Sequence, residues 1–102
     1  MANKLLENKI AVVTGGATGI GKEIVRELAE NDATVILADR NAPLGEKEAQ
    51  EFQAKKLDVT FMQLDISKID EVKDFFNSIN KKYSRLDILV NNAGIKINAG
   101  KV

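Results

Sequence analysis

The sequence predicts an α/β fold built on a doubly wound parallel sheet. Three observations carry that expectation: short β-branched runs alternate with segments of helical periodicity, a glycine-rich turn joins the first such pair, and each run is linked to the next by one helix-length segment. Strands joined by single helices must run parallel with right-handed crossovers, and ligands of such sheets bind beyond the carboxyl ends of the strands. With 102 residues, one core is the ceiling.

The first strand is Ile10-Ala11-Val12-Val13, a continuous apolar run of the kind buried on both faces of a parallel sheet, closed by Thr14-Gly15-Gly16. From Ile20 onward the apolar positions Ile20, Ile24, Val25 and Leu28 fall at helical spacing, and Asn31-Asp32 supplies a polar stop. The second strand, Ala33 to Ala38, ends in Asp39. A loop through Pro43 and Gly45 then leads into a polar helix from about Glu46 to Ala54, with Ala49 and Phe52 as its core contacts. The third strand spans about Asp58 to Leu64. Ser67-Lys68-Ile69-Asp70 reads as a capping arrangement for a third helix, whose stripe is Ile69, Val72, Phe75, Phe76, Ile79 and Tyr83. The fourth strand, Leu86 to Val90, runs into Asn91-Asn92-Ala93-Gly94. The chain therefore reads as three strand-helix units plus one strand, with no internal repeat and no low-complexity segment.

Composition narrows the function classes. Apolar residues at 44% and charged residues at 29%, with a single proline, suit a globular domain and not a disordered one. Fifteen Lys plus Arg balance fifteen Asp plus Glu, so no global field draws in nucleic acid or anionic lipid. The absence of cysteine and histidine removes disulfides, thiolate nucleophiles, histidine bases and the zinc sites built on those ligands. Charge interrupts the apolar residues of the first nine positions, unlike a signal peptide, and no stretch nears the roughly 18 apolar residues of a membrane span. The expectation is a cytoplasmic protein with neither nucleic-acid nor membrane partner.

Thr14-Gly15-Gly16-Ala17-Thr18-Gly19-Ile20-Gly21 stands where a doubly wound sheet needs a phosphate-binding turn, after the first strand and at the start of the first helix. Glycines 15, 19 and 21 are expected to adopt positive φ and to admit a diphosphate against the free N–H groups and positive dipole end of the helix. Alone, such an octapeptide also suits a plain tight turn; strand, helix and a downstream acid in register favour the phosphate site. That acid is Asp39, 18 positions after Gly21 and close to the roughly 20 expected of a carboxylate that accepts from both ribose hydroxyls of an adenosine. The carboxylate argues for NAD over NADP, because a 2′-phosphate would meet like charge there, and Arg40 beside it offsets that repulsion only in part. By itself Asp39 also fits a strand-ending turn.

Thr-Gly-x-x-x-Gly-x-Gly at 14 to 21 together with Asn-Asn-Ala-Gly at 91 to 94 resembles the short-chain dehydrogenase/reductase family, over about Asn8 to Ile95. The glycine spacing of three then one is similar to the short, single-domain branch of that family. The resemblance implies a partial NAD(P)-binding Rossmann domain over residues 1–102. It also implies that Asp65 meets the adenine through its carboxylate and Ile66 through its main or side chain; on the residues alone, Asp65 suits a turn equally. Asn92, Ala93 and Gly94 would line the middle of the cofactor, with Asn91 bracing the sheet.

In that family a tyrosine acid/base, a neighbouring lysine, a serine and an asparagine move hydride between nicotinamide and an alcohol or ketone, all downstream of Asn-Asn-Ala-Gly. Here Tyr83 has Asp87 four positions later and lies on a helical stripe, and Ser67, Ser78 and Ser84 lie in or beside the third helix, so no catalytic residue is assigned. The leading expectation is the dinucleotide-binding portion of an NAD-dependent oxidoreductase. The alternatives are a non-catalytic NAD-binding or interaction module needing a partner chain, and a truncated product without function. An open edge at the fourth strand is expected to favour self-association or a complementing chain.

Overall fold

The computed structural model describes residues 5–93. Its elements follow in chain order as β1 (Ile10–Thr14), α1 (Gly19–Glu30), β2 (Thr34–Asp39), α2 (Ala42–Ala54), β3 (Val59–Gln63), α3 (Ile69–Tyr83) and β4 (Ile88–Asn91). All strand pairs are parallel and the sheet order is β3-β2-β1-β4. The chain thus builds outward from β1 to β3 and then returns to the other side of β1. That reversal creates a crevice at the carboxyl ends of β1 and β4.

Burial explains the β1 run. Alternate side chains point to opposite faces, and both faces are covered: Ala11 and Val13 join Val35, Leu37 and Val59 beneath Val25, Ala29, Ala49 and Phe52 of α1 and α2, while Ile10, Val12, Ile36 and Ala38 meet Phe75 and Ile79 of α3. Helices on both faces make the sheet doubly wound, as expected. Phe75 and Phe76 add an edge-to-face pair with centroids 5.1 Å apart. Tyr83 packs against the α3 layer, with Lys82 Nζ 5.4 Å from its ring centroid, in keeping with a packing role.

The structure corrects four local expectations. Helix α2 starts at Ala42, not near Glu46: the Asn41 side chain accepts from Leu44 N at 3.2 Å, and Pro43 occupies the first turn, where its missing N–H costs nothing. Gly45 lies inside that helix, and a Cβ there would run into the Phe61 ring of β3, so the glycine lets α2 settle on the sheet. Ile20 and Ile69, counted in the apolar helical pattern, are 75% and 72% exposed, each in the first turn of its helix. Ser67 does not cap α3. The N-cap is Lys68, without a side-chain bond, and the Ser67 hydroxyl turns back to Asp65.

Asp87 ties the start of β4 to the start of β1. Its Oδ2 accepts from Ile10 N at 2.8 Å and from Arg85 Nε at 3.0 Å, and its own N–H donates to the Ile10 carbonyl at 2.9 Å. The bond from Ile10 N, helped by Arg85, holds the Asp87 carboxyl below the ordinary carboxylate range despite some desolvation. A depressed folded-state value means that the stabilisation is complete above the unfolded carboxyl pKa of about 4 and is lost as pH falls through the folded value. Asp87→Asn is therefore expected to lower the urea midpoint by a constant amount above about pH 5, with the gap to the parent closing toward about pH 3. A gap independent of pH would show that the ionised carboxylate is not what joins β1 to β4.

Candidate functional site

The glycine-rich loop leaves β1 at its carboxyl end and enters α1 with its donors free. Thr18 is the N-cap of α1 but its side chain caps nothing, and the first turn holds no acidic residue. The first helical bond is Lys22 N to Thr18 O at 3.2 Å, so the N–H groups of Gly19, Ile20 and Gly21 have no acceptor within the helix. The other two helices are served differently: α2 by the Asn41 side chain, α3 by Asp70 and Glu71 in its first turn. Of the three, α1 alone has neither a side-chain cap nor an acidic residue in its first turn, and it starts at the crevice where β1 and β4 diverge.

The three motif glycines act differently from one another. Gly15 and Gly19 take the left-handed conformation, at φ 65° and 55°. Gly21 does not, which corrects the expectation for that position; its role is close approach. A Cβ at Gly21 would overlap the Gly15 carbonyl oxygen and come within 2.6 Å of Asn92 Nδ2, so the loop can fold back over the helix only because Gly21 has no side chain. Gly16 N donates to Ala38 O at 3.1 Å, which pins the loop to β2.

Asp39 and Asn92 bond this loop directly, and Ala93 bonds the Thr14 that precedes it. Asp39, at the end of β2, accepts from Ala17 N through Oδ2 at 3.2 Å and from Asn41 N through Oδ1 at 3.0 Å. On the opposite side Asn92 donates from Nδ2 to the Gly15 carbonyl at 3.2 Å. The Thr14 hydroxyl lies 3.4 Å from Val90 O and 3.3 Å from Asn91 Oδ1, and accepts from Ala93 N at 3.0 Å. Thr14 and Asn91 therefore lock β1 to β4 beneath the loop, the bracing expected of Asn91. Gly94 lies outside the described residues.

Arg40 and Asp65 share an open cleft of about 480 Å³ with Asn41, Gln63, Lys68 and Glu71, at the ends of β2 and β3. Gln63 Nε2 donates to Arg40 O at 3.2 Å and holds the segment after β2 against β3. Ile66 lines an apolar hollow of about 250 Å³ with Thr14, Leu64, Val72, Phe76, Leu89 and Asn91. Of these three residues, Arg40 and Asp65 thus line the polar cleft and Ile66 the apolar hollow.

Two supporting groups escaped the sequence reading. Lys22 Nζ reaches Glu48 Oε2 at 2.8 Å, joining α1 to α2; the bond raises the Lys22 pKa, and Glu48 is buried. The signal available was an acid next to Ala49 on a buried helix face. The second group is Ser67 with Glu71 around Asp65, signalled by the Asp-x-Ser spacing of a side-chain turn. Among the described residues no group of three or more acidic side chains could hold a metal ion, and no helix is long and apolar enough to cross a membrane.

Fold and loop together define a doubly wound α/β protein with a glycine-rich turn and an uncapped helix start at its switch point. The sequence profile of the short chain dehydrogenase family matches residues 9–101, and the chain belongs to that family of oxidoreductases, whose members use NAD(P). It is 44% identical over 91 residues to the uncharacterized oxidoreductase YxjF of Bacillus subtilis, covering 89% of this chain and 35% of that protein. Human carbonyl reductase [NADPH] 1 is 41% identical over 87 residues, covering 84% of this chain and 31% of that one. Among solved structures, the citronellol catabolism dehydrogenase AtuB of Pseudomonas aeruginosa superposes with a TM-score of 0.87 at 33% identity, over 94% of this chain and 40% of that one. The chain spans about a third of the length of the curated relatives it matches.

Proposed function

We propose that this chain binds NAD across the carboxyl ends of its strands and is the dinucleotide-binding part of an oxidoreductase that moves hydride between an alcohol and a ketone. The bound dinucleotide supplies the hydride chemistry. In this reading the Gly15 to Gly21 loop takes the diphosphate, Asp39 accepts from the adenosine ribose hydroxyls, Asp65 and Ile66 flank the adenine, and Asn92, Ala93 and Gly94 face the middle of the cofactor. One observation carries it: the loop is bonded to Asp39 on one side and to Asn92 on the other, so all three parts of the site form one unit beside the uncapped end of α1.

Calorimetric titration with NAD and NADP tests this reading. The parent is expected to prefer NAD, and Asp39→Ala to weaken NAD by about tenfold or more, as for loss of hydrogen bonds to a charged group, with a smaller effect on NADP. The human relative carries NADPH in its name, so the opposite preference in the parent would overturn the role given to Asp39.

Placement in the cytoplasm belongs to the same reading, and fractionation of cells expressing the chain tests it. Among the described residues β4 pairs on one side only, with Leu89 52% exposed, which favours a complementing strand from another chain at that edge. Sedimentation of the purified chain is then expected to show a monomer. A stable dimer would assign the edge to self-association.

A further inference from the structure

We infer that the Lys22–Glu48 ion pair is a positioning device that fixes the spacing between the free N–H groups of α1 and the Asp39 carboxylate, so that it strengthens binding of a ligand bridging both and not of a ligand touching only one. This rests on the cofactor reading above and adds to it the residues that set the geometry of its two anchors.

The two anchors stand on different units of the fold. The N–H groups of Gly19, Ile20 and Gly21 belong to α1, whereas Asp39 closes β2 and leads through Asn41 into α2. At the loop the units are joined by Gly16 N on Ala38 O and by Ala17 N on Asp39 Oδ2, and the second of these bonds uses the carboxylate that a ribose would claim. Away from the loop, α1 and α2 share a core through Val25, Ala29, Ala49 and Phe52. Apolar burial is non-directional, so by itself it sets the register of the two helices only loosely. The ion pair is directional. Lys22 directly follows Gly21, Glu48 lies on the buried face of α2, and Nζ and Oε2 are 2.8 Å apart. Glu48 is 6% exposed, its Oε2 is shut off from solvent, and the Lys22 ammonium is the one partner of that oxygen among the described residues. A shift of α1 against α2 leaves a buried carboxylate without its counter-charge, a far larger cost than the loss of a surface pair. The pair therefore holds α1 where a diphosphate on its N–H groups and a ribose on Asp39 suit one ligand. Fixed spacing favours the bridging ligand, whose second contact needs no further ordering of the protein, and does nothing for a ligand that meets one anchor. Because the pair is neutral as a whole, its effect on affinity is geometric.

The experiment follows NAD by calorimetry, inorganic pyrophosphate and adenosine by NMR shift titration, and stability by urea unfolding, in the 102-residue parent, Glu48→Gln and the double variant Lys22→Met/Glu48→Leu. Apolar replacement of a buried ion pair is often neutral or stabilising, so the double variant keeps the fold and loses the link. It is expected to bind NAD about fivefold to tenfold more weakly at an undiminished urea midpoint, with pyrophosphate and adenosine affinities within about twofold of the parent. Glu48→Gln is expected to weaken NAD as well, although it frees the charge of Lys22. Parental NAD affinity in the double variant would overturn the inference and leave the cofactor reading standing. Tighter NAD binding in Glu48→Gln would do the same, by showing that Lys22 acts on the diphosphate through its charge. An equal loss of NAD, pyrophosphate and adenosine would reduce the pair to support of the fold and likewise overturn it. Should the double variant not fold, the sign of the Glu48→Gln effect decides alone. If the parent bound no NAD, both would fall together.

Discussion

Gly21→Val is expected to abolish NAD binding and to destabilise the fold in the same step. The position is inside α1 with ordinary helical backbone, so conformational strain is not the cause. The first atom of any side chain overlaps the Gly15 carbonyl oxygen and crowds Asn92 Nδ2, and neither can yield cheaply: the oxygen is main chain, and the amide is its hydrogen-bond partner at 3.2 Å. Relief requires the loop to lift from the helix, which separates the uncapped N–H groups from the strand ends. Overpacking of this kind costs about 1–3 kcal/mol, and a clash with main chain belongs at the upper end. Urea unfolding and calorimetry on the same sample check the two effects together. Gly21→Ala should already show both, since the Cβ alone makes the contact. A Gly21→Val protein with parental stability and parental NAD affinity would overturn the packing account of the loop.

Gly19→Val is expected to separate what Gly21→Val combines. A Cβ at Gly19 meets nothing within 4 Å, so the protein itself has room for the side chain. The stability cost is limited to holding a β-branched residue at φ 55°, of the order of 1–3 kcal/mol. The open space it fills lies before the free N–H groups of α1, where the diphosphate is proposed to sit, so NAD binding should be lost from a chain that still unfolds cooperatively. Retention of NAD affinity within a few-fold would move the diphosphate away from the loop. The pair of variants thus distinguishes a glycine required by the protein from one required by its ligand, although the motif shows them two positions apart and alike.

Much of this was legible before any coordinates, and the reasons are local. The β1 run is apolar on both faces because both faces are covered, and that is visible as four apolar residues in succession. Asp39 and the glycine loop were legible as a pair because strand and helix lengths set their separation. Helix α2 was legible in principle: Asn41 before Ala42-Pro43 is a start signal, and reading Pro43 as a loop residue overlooked its tolerance in a first turn. Ser67 was assigned to the wrong bond because an exposed hydroxyl near a helix start can serve either the helix or the preceding aspartate, and the distance that decides between them is tertiary.

The order and spacing of strands, helices, glycines and acids are properties of the chain itself, since 2-residue and 3.6-residue periods and turn chemistry act over a few positions; they were enough to define an α/β fold with a glycine-rich turn after its first strand. Partnership is different. That Thr14 spends its hydroxyl on the end of β4, that Asp87 anchors Ile10, that Gly21 is empty for the sake of Gly15, and that Ile20 and Ile69 face outward all depend on residues brought together from distant parts of the chain, or on what the fold leaves uncovered. Periodicity states which side chains share a face. Only the packed sheet states whether anything lies opposite that face, and so which polar atoms remain free for a ligand.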